Sequence, residues 1–580
     1  MERFRDTHAN LSATCEGQNT KKIIKGHFEM GGQYHFTMEP QTCVCIPCED
    51  GLEVYSATQY VDFVQIAISQ CTKIPENCIN VHMRRLGGGY GAKITRPAQV
   101  ACASAIACQR TNRPIRFVLS IESNMETVGK RNGVISDYEI HVDDKGKIQK
   151  MENIFREDYG CSINEDPIYT AKEFFKNCYV SDAFNFTGKL CVTDSASNTW
   201  CRAPGTTEGI ASIETIMEHI AYETGLDPID VRMANIAEDN KIKQLMPEFL
   251  ESIDFKKRIS EIDDFNAKNR WRKRGIAVVP MEYGQSFFGS IPVIVSIFHT
   301  DGTVAITHGG VECGQGINTK ITQVAAHTLK IPMEYIKIKS SVNYVVPNAT
   351  GTGGSMTSEA VSFAAMKACE ILVERMKPVR EKMVEAKWNE VTEACHNQLI
   401  ELSATYQYKM TDLQAYSIWG LSCTEVEVDM LTGNYQLNRV DILEDTGESL
   451  SPQVDVGQVE GAFVMGLGYW LTENLVYDES DGKLLTNRTW NYKPPGAKDI
   501  PIDFRIKFLR NSPNSVSVLR SKATGEPAVC MSIVAIFALR YALISARKDA
   551  GITEWLSLGA PTTPEQVLLA SGTTPNMLTI

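Results

Sequence analysis

The residues with the greatest capacity for chemistry in this chain are amides, glycines and one acid. Gln33, Gln315 and Gln458 each stand among small residues, in GGQYH, CGQGI and VGQVE, and a glutamine donates hydrogen bonds to oxo or phosphate oxygens without adding charge. Three glycine-rich stretches accompany them: GGGYGAK from Gly87, GGVECGQG from Gly309 and PNATGTGGS from Pro347. Glycine lets backbone N–H groups come close to an anionic ligand. Glu526 directly precedes Pro527 and a long apolar run, the position of an acid at a helix N-terminus. There the macrodipole favours the ionised form while desolvation in a closed pocket opposes it, and a working base needs the two in balance. The set describes a cradle for a large anionic group with one carboxylate available for proton transfer.

Other chemistries fit less well. Gly87 to Ala92 matches G-x-G-x-x-A formally, but Ala92 to Arg96 separate Gly91 from Pro97, where the next helix is expected to start, and no acid follows at the dinucleotide spacing. A tight turn would use the same glycines. Cys43, Cys45 and Cys48 give C-x-C-x2-C without a partner pair or a histidine cluster, and TCVCIP also reads as a strand. No H-x3-H, G-x-S-x-G or G-x4-G-K-[ST] occurs, so zincin, nucleophile-elbow and P-loop chemistry lack their residues.

The elements that must position these groups alternate irregularly between strand-like and helix-like segments. A strand over Ile79–Leu86 runs into the first glycine loop, and a helix over Pro97–Gln109 follows it. The third loop precedes a helical pattern over Ser358–Met376, and the apolar run after Glu526 reads as one helix to Asp549. Over Thr207–Thr224 the apolar residues Ile210, Ile213, Met217 and Ile220 fall on one face, with Gly225 as the stop. The polar stretch from about 240 to 275 is the expected connection between two domains, and the basic run Arg270 to Arg274 reads as solvated surface.

At 580 residues, with 58 basic and 70 acidic side chains, the chain has room for several cores and no net basic face for nucleic acid. The N-terminal residues show no secretory signal and the most apolar later stretch is interrupted by Arg540, so no membrane span is expected. The 17 scattered cysteines fit a reducing, cytoplasmic setting better than a disulfide framework.

Taken together and in order, GGQYHFTMEP, RRLGGGYGAK, NTWCRAPG, GGVECGQGINTK, TGTGGSMTSE, VDVGQVEGAF and KATGEPAV resemble the molybdenum-binding portion of the xanthine dehydrogenase and aldehyde oxidase family. The resemblance implies an α+β fold of two mixed α/β molybdopterin-binding domains, here 1–240 (N-terminally incomplete) and 276–580 with 241–275 between them. It implies a molybdopterin cofactor carrying Mo with oxo and sulfido ligands and no direct side-chain ligand. By motif, Gln33, Tyr90, Gly91 and Arg202 would surround the metal, Gly314, Gln315, Gly354, Ser355, Thr357 and Gln458 the pterin and its phosphate. Glu526 takes the place of the family's catalytic glutamate, the general base for oxidation of the substrate with water as oxygen source.

Departures from the family pattern bear on substrate. Purine-oxidising members carry an acid where this chain has Ile94, an arginine for which KEFFKNCY and its flanks offer none, and an aromatic residue where Pro204 stands. Phe287 remains as an expected aromatic of the pocket. An apolar pocket favours aldehydes over xanthine, and the CRAPG wording is similar to the aldehyde oxidase branch of insects. Full-length members add [2Fe–2S] and FAD domains, work as homodimers and pass electrons to O2. The chain therefore reads as a C-terminal fragment, inactive alone. A silent pterin-binding polypeptide, a purine hydroxylase and an NAD-type dehydrogenase are the competing expectations.

Overall fold

The computed structural model describes residues 4–578. Four sheets, each backed by helices, are arranged around a shared cavity. One sheet orders the strands Phe4–Leu11, Phe184–Cys191, Ile148–Asp158, Val134–Val142 and Lys22–Met30; another orders Arg272–Gln285, Tyr416–Asp429, Tyr435–Glu444 and Asp503–Phe508. These two share one core, which runs from Ala9 to Val567 and so draws on both halves of the sequence. A third sheet, containing Val304–His308 and Ser290–Ile297, packs on the helices Ile317–Leu329 and Thr357–Arg380. The fourth, built on Thr42–Cys48, Gly51–Ser56 and Ile79–Met83, packs on Val61–Thr72 and Pro97–Thr111 and takes its edge strand Ser341–Val342 from the later half.

The local patterns explain most elements. The helix Thr206–Thr224 forms with Gly225 at φ 71° in the left-handed position that closes it. Its apolar face is only part of its burial: Glu208, Glu214 and Glu218 lie inside too, paired with Arg131, Arg232 and Arg540. A buried carboxylate survives there because a guanidinium replaces its water.

Three expectations change. The connection at 241–275 is built as helices Lys241–Ser252 and Phe255–Lys268, whose Leu245, Met246, Phe249, Phe255 and Ile262 join the large core, with Arg258 buried beside them against Glu425 and Asp441. The basic run is not all solvated, since Lys273 is buried and pairs with Asp549 at 2.6 Å. The run after Glu526 is two helices, Pro527–Met531 and Val534–Asp549. Between them Ser532 donates to Val529 O and accepts from Trp470 Nε1 at 2.8 Å, tying the break to the core. The segment Pro527–Asp549 is long and apolar enough to cross a membrane by composition, and 83% of its most apolar window is buried inside the protein. The strand Thr42–Cys48 holds Cys43 and Cys45 inward, and all the described cysteines are free thiols.

Candidate active site

The segment Lys522–Glu526 is fixed at every residue. Buried Lys522 pairs with buried Asp445 at 2.8 Å, the Ala523 N–H donates to the Tyr416 hydroxyl at 2.9 Å, and Thr524 Oγ1 donates to Asp455 at 3.1 Å. Gly525 O accepts from Arg202 Nε at 2.5 Å. Glu526 itself, 8% exposed, accepts from the Ala203 N–H at 2.8 Å through Oε1 and from the Tyr283 hydroxyl at 2.9 Å through Oε2. Such fixing holds a carboxylate in one orientation while leaving each oxygen a second lone pair.

Arg202 also donates to Gln458, at 3.2 Å to both its backbone and side-chain oxygens. The Arg202–Ala203 segment is held in turn by buried Arg131, which donates to Arg202 O at 2.7 Å, to Glu208 at 3.0 Å and to Gln33 Oε1 at 3.0 Å. Gln33 is fully buried and its amide nitrogen donates to Met465 O at 3.0 Å. Beside it lies Glu473, whose carboxyl burial pushes up to about 7 against the opposing hydrogen bonds of Tyr492 and Gln33. Ala203, Tyr90 and Ser355 all have positive φ, at 56°, 55° and 53°, so three of the chain's strained non-glycine residues cluster here.

The glycine loops differ in use. At Gly91, with φ 104°, a Cβ would lie 2.4 Å from Trp200 O, so only glycine permits the approach. Its N–H, expected at the metal centre, instead donates to Gln59 Oε1 at 3.1 Å. In the second loop Glu312 accepts from the amides of Gly314, Gly316 and Asn318 at 2.9, 3.0 and 3.2 Å, and Gln315 folds back onto Val311 O and the Cys313 N–H. Those amides are satisfied by the chain's own carboxylate. In the third loop Thr357 Oγ1 accepts from the Gly353 N–H at 3.2 Å, and Gly354 and Ser355 pass through left-handed φ just before the helix Thr357–Arg380.

These parts meet on one cavity of about 830 Å³. Glu526, Gln33, Arg202 and Gln458 line it, as do Tyr90, Gly91, Ile94 and Pro204. Gly314, Gln315, Gly354, Ser355 and Thr357 also belong to its wall. Phe287 is the exception: it packs 6.0 Å from the Tyr416 ring against the third sheet's core, and its neighbour Phe288 faces the cavity instead. The preceding strand stops at Gln285, so strand alternation no longer decides which of the two phenylalanines points inward. Sequence patterns also missed Tyr283, Gln285 and Glu473, all of which line the cavity.

A large anionic pterin fits this wall. A Cβ at Gly457 would meet no protein atom within 4 Å, so backbone there faces open cavity, and the buried Gln285 Oε1 has no partner in the protein, leaving an acceptor for a ring N–H. Among the described residues no group of three or more His, Cys, Asp or Glu is placed to hold a metal ion directly.

Comparison with known proteins matches the chain to the molybdopterin cofactor-binding domain families, over residues 11–236 and again over 248–501. It is similar to xanthine dehydrogenase/oxidase of Gallus gallus, 33% identical over 95% of this chain and 43% of that protein, and to aldehyde oxidase 2 of Rattus norvegicus, 35% identical over 95% and 43%. The chain thus spans less than half the length of these relatives. Quinoline 2-oxidoreductase of Pseudomonas putida 86 shares the fold with a TM-score of 0.85 at 20% identity, covering 97% of this chain and 79% of that one. Aldehyde oxidoreductase of Desulfovibrio gigas gives 0.80 at 20% identity, covering 96% and 63%. With both domain families matched in order and the fold shared throughout, the chain belongs to the xanthine dehydrogenase and aldehyde oxidase family of molybdopterin oxidoreductases, as its molybdopterin-binding part.

Proposed function

We propose that the chain is the catalytic portion of an aldehyde-oxidising molybdenum hydroxylase, producing carboxylic acids with oxygen from water and using Glu526 as general base. The observation that carries this reading is Glu526 itself, a nearly buried carboxylate held through both oxygens on the wall of the cavity that also presents Gln33, Arg202 and Gln458. Molybdopterin, with oxo and sulfido ligands on its Mo, supplies the two-electron oxidation when bound. Gln33 and Tyr90 flank the metal end on this reading. Gly354, Ser355, Thr357 and Gln458 hold the pterin and its phosphate. Glu526 takes the proton released as the water-derived oxygen joins the carbonyl carbon, and the aromatic wall of Phe174, Tyr283 and Phe288 keeps bulk water from the reacting carbon.

Ile94 and Pro204 on the cavity wall support an apolar aldehyde over a purine, because a site lacking polar anchors gains little from a polar ring. The complete protein, on this reading, is a cytoplasmic homodimer that carries electrons through [2Fe–2S] and FAD domains outside this chain to O2; the chain alone is inactive in turnover. In that complete protein Glu526→Gln should lower kcat about 10²- to 10⁴-fold with molybdenum and pterin content unchanged. A molybdenum-replete variant within a factor of a few of the parent would remove Glu526 from the role. Xanthine outperforming benzaldehyde in kcat/KM would overturn the aldehyde assignment alone.

A further inference from the structure

We propose that Tyr283 is the positioning residue of this site, its hydroxyl holding Glu526 in the orientation from which it takes a proton. The proposal rests on the reading of Glu526 as base, and its support is geometric. Tyr283 is 6% exposed, near the end of the strand Arg272–Gln285, and its hydroxyl lies 2.9 Å from Glu526 Oε2. The ring is held independently of that bond, stacked on Phe174 at 5.4 Å and 26°. The hydroxyl therefore reaches Glu526 from a fixed platform.

Two donors act on the carboxylate, and they differ in kind. The Ala203 N–H belongs to the backbone and is fixed by Arg131 and Arg202; Tyr283 is the donor a substitution can remove without moving the chain. Burial, and after it the Glu526 charge, push the Tyr283 phenol well above its ordinary value, so it stays protonated and donates throughout the range in which Glu526 works. The other charged or titratable groups facing the pair are Arg202, which donates to the Gly525 carbonyl next to Glu526, Cys530 on the helix Pro527–Met531 and Tyr416 on the neighbouring strand. None of them donates to Glu526. A hydrogen bond to an ionised acceptor favours that ionised form and restricts its rotamers. Removing the donor should loosen the aim of the base.

The test uses molybdenum-loaded protein, with anaerobic reduction by benzaldehyde followed optically in a single turnover, so that electron transfer beyond the site does not enter. Tyr283→Phe keeps the ring and its stack. It should lower the limiting rate about tenfold, the scale of one hydrogen bond to a charged group, and leave half-saturation by benzaldehyde within about twofold. Infrared spectra of protein carrying 13C-carboxyl glutamate, with Glu526→Gln to identify the band, should show the Glu526 carboxylate stretch displaced in Tyr283→Phe without any substrate present. Replacement of Tyr283 by 3,5-difluorotyrosine keeps the hydroxyl and makes it a stronger donor, so it should move that band the other way. That second variant decides the matter if Tyr283→Phe folds poorly. If Glu526→Gln abolishes reduction while both Tyr283 variants leave the rate and the band in place, the positioning role is overturned and the base stands. If Glu526→Gln reduces normally, the base itself falls.

Discussion

In the loop before the helix Ile317–Leu329, Glu312 gathers the amides of Gly314, Gly316 and Asn318. In the loop before the helix Thr357–Arg380 the nearest acid, Glu359, lies past the loop, inside the first helical turn, and accepts from the Tyr416 hydroxyl at 2.7 Å. Both loops are rich in glycine, both lead into a helix and both line the same cavity. Glycine content decides what the backbone can do, whereas the placement of the nearest acid decides whether the amides remain available to an anion. The first loop has its anion built in. The second keeps its amides clear of any carboxylate of its own, which is what the proposed seat for the cofactor's phosphate requires.

Breaking the built-in anion should have the largest effect. Glu312→Ala leaves three amide donors without their charged acceptor. Because the loop is partly exposed and water can replace some of the loss, the expected cost is about 3 kcal/mol. Glu312→Gln keeps one acceptor oxygen and should cost roughly half as much. Urea unfolding of the chain measures both. A loss below about 1 kcal/mol for Glu312→Ala would mean that water serves these amides as well as the carboxylate does.

The second acid sharpens the contrast through pH. Burial pushes the Glu359 carboxyl up from 4.5 to about 7, against the hydrogen bond from Tyr416 that pulls it down. Below pH 4.5 it is protonated in folded and unfolded chains alike. Between 4.5 and 7 the unfolded chain ionises it first, so stability falls as pH rises through that window and levels off above it. The displacement corresponds to at most about 3 kcal/mol, with about 2 expected after relaxation. Glu359→Gln should therefore gain stability over the parent at pH 8 and show little gain at pH 4.5. Glu473, also raised to about 7, is present in both proteins and cancels from the difference. An equal stability change at the two pH values would show that Glu359 ionises as freely in the folded chain as in the unfolded one.

Much of this site was legible because the family's motifs carry their own residues: Gln33, Arg202, Gln458 and Glu526 stand inside recognisable strings and meet on one cavity. What was not legible acts across distance in sequence. Ala203 and Tyr283 reach Glu526 from 323 and 243 residues away, and Arg131 reaches Gln33 from 98, separations that periodicity in a single segment cannot sense. Arg131 stands in GKRNG, a string with no chemical signature, and is buried at the junction of Gln33, Glu208 and Arg202. The helix Thr206–Thr224 was readable from its apolar face, but the burial of its glutamates depends on arginines supplied by other elements. The glycine loops misled in a specific way: the pattern predicts that amides can approach an anion, and in one loop the anion was Glu312.

The smallest effect separates the two loops most directly. Gly314 has φ 105° and Gly354 φ 60°, and neither lacks space for a methyl group: no atom lies within 4 Å of a Cβ at Gly314, and the nearest to one at Gly354 is the Phe288 ring at 3.5 Å. Alanine at either position should therefore cost backbone strain alone, about 1 kcal/mol in the left-handed region at Gly354 and about 2 at Gly314, whose φ lies outside it. The loops should differ in what else is lost. At Gly314 the amide already belongs to Glu312, so Gly314→Ala should lower unfolding stability and leave pterin and molybdenum content per chain unchanged after gel filtration. At Gly354 the methyl group stands beside the amides left open to the ligand, so Gly354→Ala should shed cofactor severalfold at a smaller cost in stability. Equal retention by the two variants would erase the distinction between a loop that binds its own acid and one that is held ready for a phosphate.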